Sequence, residues 1–220
     1  EKQKINENEI KFPLVELAMG RVGGINVTVP FKKKIIPFLD ELTYFAKKTQ
    51  SVNTIYKKKN KIVGDNTDVT GFNYALQHIK YSVKGKKIFI LGAGGVTPSI
   101  IFALKQMDAS TIMLSNRTRE KAENLKKIYP YLDLIKWGDI KNFDMIINTT
   151  SLGLKENDKI QLNYDEIGSG KFFYDVIYNP KKTNFLSEAK ERGNQIENGK
   201  MMFVYQAQLA FEIWFGLIPP

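Results

Sequence analysis

The segment KIFILGAGGVTPS, residues 87–99, decides the fold of this 220-residue chain. Its first residues, Lys87 to Leu91, have the composition of a strand that is buried on both faces. A glycine-rich turn follows, in which Gly92 permits a tight bend and Gly94 lets the backbone approach a pyrophosphate. Thr97 and Pro98 then start a helix whose first amides face that anion. Because glycine also ends strands for structural reasons, the dinucleotide interpretation depends on the surrounding pattern.

Strands and helices alternate on both sides of this segment. Apolar runs typical of buried strands recur at residues 111–115, 144–150 and 172–178. Helices are predicted from Thr67 or Asp68, from Thr97, from Thr118 and over residues 184–192. This alternation is typical of βαβ units and of a parallel sheet covered on both faces. We therefore predict an α/β fold with a Rossmann-like, doubly wound domain in the middle of the chain.

The first third of the chain contains shorter elements. The sequence predicts a strand over residues 24–29, a helix over residues 40–48 and two β segments at residues 52–56 and 61–64. The polar turn KKKN between the β segments is typical of a hairpin. These elements predict a smaller α/β domain.

The most apolar stretch, residues 201–218, is short for a membrane span. It carries Gln206, Gln208 and Glu212, whose burial in lipid would be costly. We predict a buried helix here and no membrane partner.

Composition restricts the possible functions. The chain has no cysteine, which excludes disulfides, cysteine-liganded zinc and a thiol nucleophile and favours a cytoplasmic location. No metal site is predicted. The net charge is +10, but 29 of the 33 basic residues are lysines scattered along the chain, so we do not predict a nucleic-acid partner. Nucleic-acid binding would show steep salt dependence and no hydride transfer.

The end of the strand at residues 111–115 indicates which dinucleotide binds. An NAD site of this kind expects an acidic residue there, which accepts hydrogen bonds from the ribose. The chain instead has Asn116, Arg117 and Thr118, with Lys121 close behind. Arginine and lysine suit a ribose 2′-phosphate, which favours NADP(H). The alternative is that Arg117 and Lys121 belong to a solvated helix start, although cations there are mildly unfavourable.

Two further segments are ambiguous by local chemistry alone. In GDNTD, residues 64–68, Asn66 and Asp68 have the residue types that form turns and cap helices. In INVTVPFKKK, residues 25–34, strand chemistry ends in three lysines, which could be surface charge or could include a functional group. The single histidine, His78, is predicted to lie on the surface.

Taken together, the motifs resemble the shikimate dehydrogenase family, in their order and approximate spacing over about residues 23–219. The matching motifs are NVTVPFK (26–32), VNT (52–54), GDNTD (64–68), GAGG (92–95), NRT (116–118), NTTSLG (148–153), YDVIYNPKKT (174–183) and a late Gln206.

The resemblance implies an NADP-dependent oxidoreductase that reduces 3-dehydroshikimate to shikimate in chorismate and aromatic amino-acid biosynthesis. The family's catalytic lysine aligns with Lys32 and its aspartate partner with Asp68, whereas Lys33 and Lys34 match no functional position. A positioned ammonium can stabilise the ketone oxygen and supply its proton as hydride arrives. Asp68 would orient that ammonium.

The same resemblance assigns binding residues and domains. It places Thr28, Asn53, Asp68, Tyr178 and Gln206 at the substrate. The cofactor residues would be Gly92, Ala93, Gly94, Gly95, Val96, Asn116, Arg117, Thr118, Lys121, Thr149, Ile177, Gly199 and Met202. The substrate domain would comprise residues 1–67 and 199–220, the NADP domain residues 68–198, and the cleft between them would hold the reaction.

Two departures from the family pattern accompany this resemblance. The family binds the substrate carboxylate with a Ser-x-Ser motif near its N-terminus, but no serine precedes GINVTVP here, so we expect the chain to lack that segment. Met201 also replaces the second glycine of the family's Gly-x-Gly-Met. A quinate-using relative, a preference for NAD and a non-catalytic NADP-binding module stay open as alternatives, as do a monomer and a homodimer.

Overall fold

The computed structural model describes residues 5–155 and 158–219, so the outer ends of the expected substrate domain, residues 1–4 and 220, lie outside the described residues. Two sheets organise this part of the chain. The small sheet contains β1 (Ile25–Asn26), β2 (Glu41–Leu42), β3 (Thr54–Lys58) and β4 (Lys61–Asp65). The large sheet contains β5 (Lys87–Leu91), β6 (Thr111–Ser115), β7 (Asp133–Ile135), β8 (Met145–Asn148), β9 (Phe172–Asp175) and β10 (Gln195–Asn198).

Helices cover both sheets. In chain order they are α1 (Phe12–Ala18), α2 (Phe31–Lys34), α3 (Tyr44–Thr49), α4 (Asp68–His78), α5 (Thr97–Gln106), α6 (Arg119–Ile128), α7 (Tyr164–Ile167), α8 (Asn184–Glu191) and α9 (Lys200–Phe215). Short 3-10 helices span Glu7–Glu9 and Ile36–Phe38. No helix in the described ranges is long and apolar enough to cross a membrane.

The large sheet is parallel throughout and has the strand order β10-β9-β8-β5-β6-β7. The order reverses between β5 and β8, and in doubly wound folds this switch point opens a crevice at the carboxyl ends of the strands. Fully buried residues such as Ile88, Ile90 and Ile147 form the core on which the helices pack. The predicted α/β, doubly wound fold is confirmed.

The small sheet has the order β1-β3-β4-β2, and β3 and β4 form the predicted hairpin. Two predictions for this region are wrong in extent. The strand predicted over residues 24–29 is only two residues long, because the chain turns at Pro30 into α2. The helix predicted from residue 40 begins at Tyr44, because residues 41–42 pair with β4 and Thr43 caps the helix.

The C-terminal helix α9 packs along α4. A methyl group on Gly71 of α4 would lie 2.9 Å from Cβ of Gln206 and 3.1 Å from the carbonyl of Met202, so glycine permits this close approach. The prediction of a buried helix is wrong in part, because only one side of α9 packs against the rest of the molecule. Met202 and Ala210 are buried, whereas Phe203, Phe211 and Phe215 are exposed.

Candidate active site

A buried ion pair lies between the two sheets. Lys32, on α2, places its Nζ 2.5 Å from Oδ2 of Asp68, the first residue of α4. The side chains are only 12% and 7% exposed, so water screens their attraction weakly. In contrast, Lys33 and Lys34 are exposed, as expected, and Lys34 pairs with Glu7 at the surface.

The amide of Asn53 holds the other oxygen of this carboxylate. Its Nδ2 lies 3.0 Å from Oδ1 of Asp68 and 3.3 Å from Oε1 of Gln206 on α9. Its Oδ1 accepts a hydrogen bond from the backbone amide of Thr67, 2.8 Å away. The structure therefore brings together four of the expected residues, Lys32, Asp68, Asn53 and Gln206, from four separate parts of the chain.

The other two expected substrate residues lie apart from this cluster. Thr28 is exposed, and its carbonyl accepts from the amide of Phe31 at the start of α2. Tyr178 is half exposed, and its ring stacks on Phe203 with the centroids 4.6 Å apart. Neither side chain has a direct contact with the ion pair in the part of the chain that the structure describes.

The glycine-rich turn lies at the switch point of the large sheet. Gly92 has φ +109°, and a methyl group there would lie 2.8 Å from Oγ1 of Thr149. The Thr149 hydroxyl contacts the Thr97 hydroxyl at 2.8 Å and so joins β8 to the start of α5. Among the described residues, none accepts a hydrogen bond from the amides of residues 94–96. Free amides at a helix N-terminus suit an anion.

This turn lies directly against the ion pair. A methyl group on Gly95 would lie 3.3 Å from Cγ2 of Val29 and 3.7 Å from Cδ of Lys32. The hydroxyl of Ser51 donates to the Gly95 carbonyl at 3.2 Å. The buried ammonium and the predicted cofactor turn are therefore neighbours.

The residues after β6 fit a phosphate beyond this turn. Oδ1 of Asn116 accepts from the Ala93 amide at 2.9 Å, and its Nδ2 donates to the Thr118 carbonyl at 2.7 Å. Arg117 and Lys121 are exposed, and neither has an ion pair within the described ranges. Two free cations beside a turn with free amides fit a dinucleotide that carries an additional phosphate.

The remaining expected cofactor residues surround the start of α9. A methyl group on Gly199 would lie 2.1 Å from the Val176 carbonyl, so only glycine fits there. The Gly199 amide donates to the carbonyl of Ile177 at 3.2 Å. Ile177 and Met202 are each 5% exposed, so their apolar side chains would mainly shape the wall of the site.

Sequence reasoning assigned no role to a second buried carboxylate, Asp175 at the end of β9. It accepts from the Thr183 hydroxyl at 2.6 Å and, at 3.0 Å each, from the Ile177 amide and the Asn148 side chain. Burial raises its pKa to about 6 despite these donors. The motifs NTTSLG and YDVIYNPKKT contain these residues, but only the structure shows that they meet.

Sequence reasoning also missed a group of small polar residues between the sheets. Ser51, Asn66 and Ser99 are buried. The Asn66 side chain donates to the Ser51 carbonyl and to the Ser99 hydroxyl. Asn66 lies in GDNTD, where its residue type indicated only a turn or a helix cap.

Two family models match this chain. The shikimate dehydrogenase substrate binding domain matches residues 1–55, and shikimate / quinate 5-dehydrogenase matches residues 74–162.

Individual proteins are similar over nearly the whole chain. The shikimate dehydrogenase (NADP(+)) of Pelagibacter ubique is 56% identical over 219 residues, which cover 100% of this chain and 83% of that protein. The crystal structure of shikimate dehydrogenase from Aquifex aeolicus has a TM-score of 0.88 at 39% identity and covers 98% of this chain and 80% of its own. Shikimate 5-dehydrogenase from Thermus thermophilus, solved with NADP(H) and shikimate, has a TM-score of 0.86 at 28% identity, with coverage of 97% and 79%.

Proposed function

Because this chain belongs to the shikimate dehydrogenase family, we propose that it catalyses the reversible NADP-dependent reduction of 3-dehydroshikimate to shikimate. The observation that carries the proposal is the buried Lys32–Asp68 pair, which lies directly against the glycine-rich turn. An ammonium held at 2.5 Å from a carboxylate, next to a dinucleotide turn, has the chemistry that carbonyl reduction requires.

Lys32 acts as the acid in the direction of reduction. When hydride reaches the ketone carbon, negative charge develops on the ketone oxygen, and the ammonium stabilises that charge and gives the oxygen a proton. In the reverse direction the neutral amine takes the proton from the hydroxyl. NADPH supplies the hydride.

Asp68 and Asn53 orient the reacting groups. Asp68 holds the ammonium through Oδ2 and offers lone pairs to a substrate hydroxyl, while Asn53 fixes the carboxylate through Oδ1. Gln206 contacts Asn53 at the edge of this cluster, where its amide would bind a ring hydroxyl of the substrate. Thr28 and Tyr178, both exposed, complete the substrate side.

The cofactor site extends from the glycine-rich turn to α9. The free amides of residues 94–96 bind the pyrophosphate, and Asn116, Arg117, Thr118 and Lys121 bind the adenosine end with its 2′-phosphate. Gly92 and Ala93 belong to the pyrophosphate turn, Gly199 and Met202 shape the nicotinamide end, and Thr149 and Ile177 complete the cofactor site.

The chain divides into a substrate domain, residues 1–67 and 199–220, and an NADP domain, residues 68–198. The two sheets support this division, since the small sheet lies in the first range and the large sheet in the second. We propose a cytoplasmic enzyme that is a monomer or a homodimer.

The test is NADPH oxidation at 340 nm with 3-dehydroshikimate, comparing the parent with Lys32→Ala and Lys33→Ala. We expect Lys32→Ala to lose about 10²- to 10⁴-fold in kcat while it still binds NADPH. Lys33→Ala, an exposed lysine on the same helix, should retain parent activity.

The reverse assay separates the alternatives. Shikimate and quinate are each offered with NADP⁺ and with NAD⁺. Faster turnover of quinate would identify a quinate-using relative, and faster turnover with NAD⁺ would contradict the role of Arg117. If the chain binds NADPH but turns over neither substrate, the assay is repeated with the family's Ser-x-Ser segment added at the N-terminus. Continued inactivity would then contradict the proposal and favour a binding module.

A further inference from the structure

Three consecutive residues after α3 contact three different parts of the candidate active site. The Ser51 hydroxyl donates to the Gly95 carbonyl at 3.2 Å, and the Val52 amide donates to the Lys32 carbonyl at 2.8 Å. The Asn53 side chain donates to Asp68 at 3.0 Å. This segment therefore touches the glycine-rich turn, the helix of the lysine and the aspartate.

The side chain of Asn66 ties this segment to the large sheet. Its Nδ2 lies 2.8 Å from the carbonyl of Ser51 and 2.9 Å from the hydroxyl of Ser99 in the first turn of α5. Its Oδ1 accepts from the amide of Val69, one residue after Asp68. One amide group thus connects the start of α4, the segment after α3 and the helix that follows the glycine-rich turn.

We propose that Ser51, Asn66 and Ser99 form a positioning link that holds the glycine-rich turn at the separation from Lys32 that hydride transfer requires. The inference rests on the proposed function. None of the three side chains needs to touch substrate or cofactor. Ser51 holds the turn itself, and the Asn66–Ser99 contact holds the helix that begins two residues after Gly95.

Burial makes the link selective for one geometry. Ser51, Asn66 and Ser99 are at most 2% exposed, so water cannot replace a broken hydrogen bond without the sheets moving apart. Reactions that join two held groups depend steeply on their separation, and a displacement of about 1 Å can cost about 10²-fold in rate. The link therefore acts on the rate of hydride transfer rather than on the affinity for either ligand.

The test compares Ser51→Ala, Ser99→Ala and Asn66→Ala by single-turnover NADPH oxidation with saturating 3-dehydroshikimate. We expect the two serine variants each to slow hydride transfer by about 5- to 20-fold, and Asn66→Ala by more. The dissociation constant of NADPH should stay within about twofold, and the primary isotope effect with 4-deuterated NADPH should rise. If Asn66→Ala does not fold, the two serine variants decide the result.

Ser115→Ala is the matched control, because Ser115 has a buried hydroxyl with no hydrogen-bond partner in the part of the chain described. This substitution removes a serine hydroxyl, as the test variants do, but it breaks no hydrogen bond. Serine variants that match Ser115→Ala in rate and isotope effect would overturn the inference. So would a loss of NADPH affinity equal to the loss of rate, because the role would then be cofactor binding.

A second measurement does not depend on turnover. Since the chain has no cysteine, spin labels can be attached at Lys33→Cys and Lys126→Cys, two exposed positions beside the small and large sheets. We expect a broader or longer distance distribution in Ser51→Ala and Ser99→Ala than in Ser115→Ala, and identical distributions would overturn the inference. A parent that stays inactive with the Ser-x-Ser segment added would contradict the proposed function, whereas the label distances would still decide the positioning role.

Discussion

Two buried carboxylates, Asp68 and Asp175, lie in this molecule in opposite electrostatic settings. Asp68 has an ammonium 2.5 Å away, carried by Lys32 on α2. Asp175 is fully buried, and the donors it receives within residues 5–155 and 158–219 are all neutral: the side chains of Asn148 and Thr183 and the amide of Ile177. Burial raises the pKa of Asp175 to about 6, since neutral donors do not fully replace water around a charge.

The comparison shows how one residue type serves two purposes. A carboxylate paired with a cation can act on a reacting group indirectly, because it orients the cation that contacts that group. A carboxylate surrounded by neutral donors instead holds the segments that supply them. For Asp175 these are the end of β8, directly before the expected cofactor residue Thr149, and the segment after β9, which carries the expected cofactor residue Ile177.

The most severe test of the comparison is Asp68→Asn. The amide keeps the shape of the carboxylate but leaves the Lys32 ammonium buried beside a neutral group, so it is neither oriented nor charge-balanced. We expect kcat for NADPH oxidation to fall by about 10²- to 10³-fold, with NADPH affinity within about twofold of the parent. Retention of more than about a tenth of the parent kcat would contradict a catalytic role for Asp68.

The same substitution at Asp175 should act on stability and its pH dependence. Because the folded pKa, about 6, lies above the ordinary value of 3.8, the carboxyl contributes stability that is complete below pH 4 and is lost as the pH rises through 6. Asp175→Asn does not titrate. The unfolding free energy of Asp175→Asn, compared with that of the parent, should therefore rise by about 2.5 kcal/mol between pH 4 and 7.

Urea denaturation at pH 4, 5, 6 and 7 measures this difference, and kcat is measured beside it. A constant difference between the two proteins across this range would show that Asp175 does not titrate in the folded state. A loss of kcat as large as that of Asp68→Asn would remove the distinction between the two carboxylates.

A smaller effect on activity is expected for Arg117, whose guanidinium is exposed and has no ion pair within the described ranges. Arg117→Ala should raise the KM for NADPH by about 10- to 30-fold and leave that for NADH nearly unchanged, because one charge-assisted contact to the 2′-phosphate is lost. Added salt should reduce the difference in the KM for NADPH between Arg117→Ala and the parent, because salt screens the attraction between charges. Arg119→Ala is the matched control, since Arg119 already pairs with Glu123 at 3.1 Å. Equal effects of both variants on NADPH would contradict a specific role for Arg117.

Much of the fold could be predicted from local patterns. The longer strands and helices from Lys87 onward, β5, β6, β8, β9, α5, α6 and α8, are recognisable because each is a continuous apolar run or starts at a clear capping residue. Short elements such as β2, β7 and β10 were missed, since two to four residues carry too little pattern. The exposed side of α9 was mistaken for core, because an apolar composition does not state how many neighbours a helix has.

The candidate site, like the fold, could be predicted only in part from the sequence. Residue types and order in the sequence alone indicated the dinucleotide turn, the preference for a phosphate-bearing dinucleotide and, through family resemblance, Lys32 and Asp68. Only the tertiary structure decided that Asn53 and Gln206 meet at Asp68, that Gly95 lies against Lys32, and that Ser51, Asn66 and Ser99 join the two halves. These are contacts between residues 15 to 153 positions apart, and local chemistry cannot encode them because they exist only after both sheets have packed.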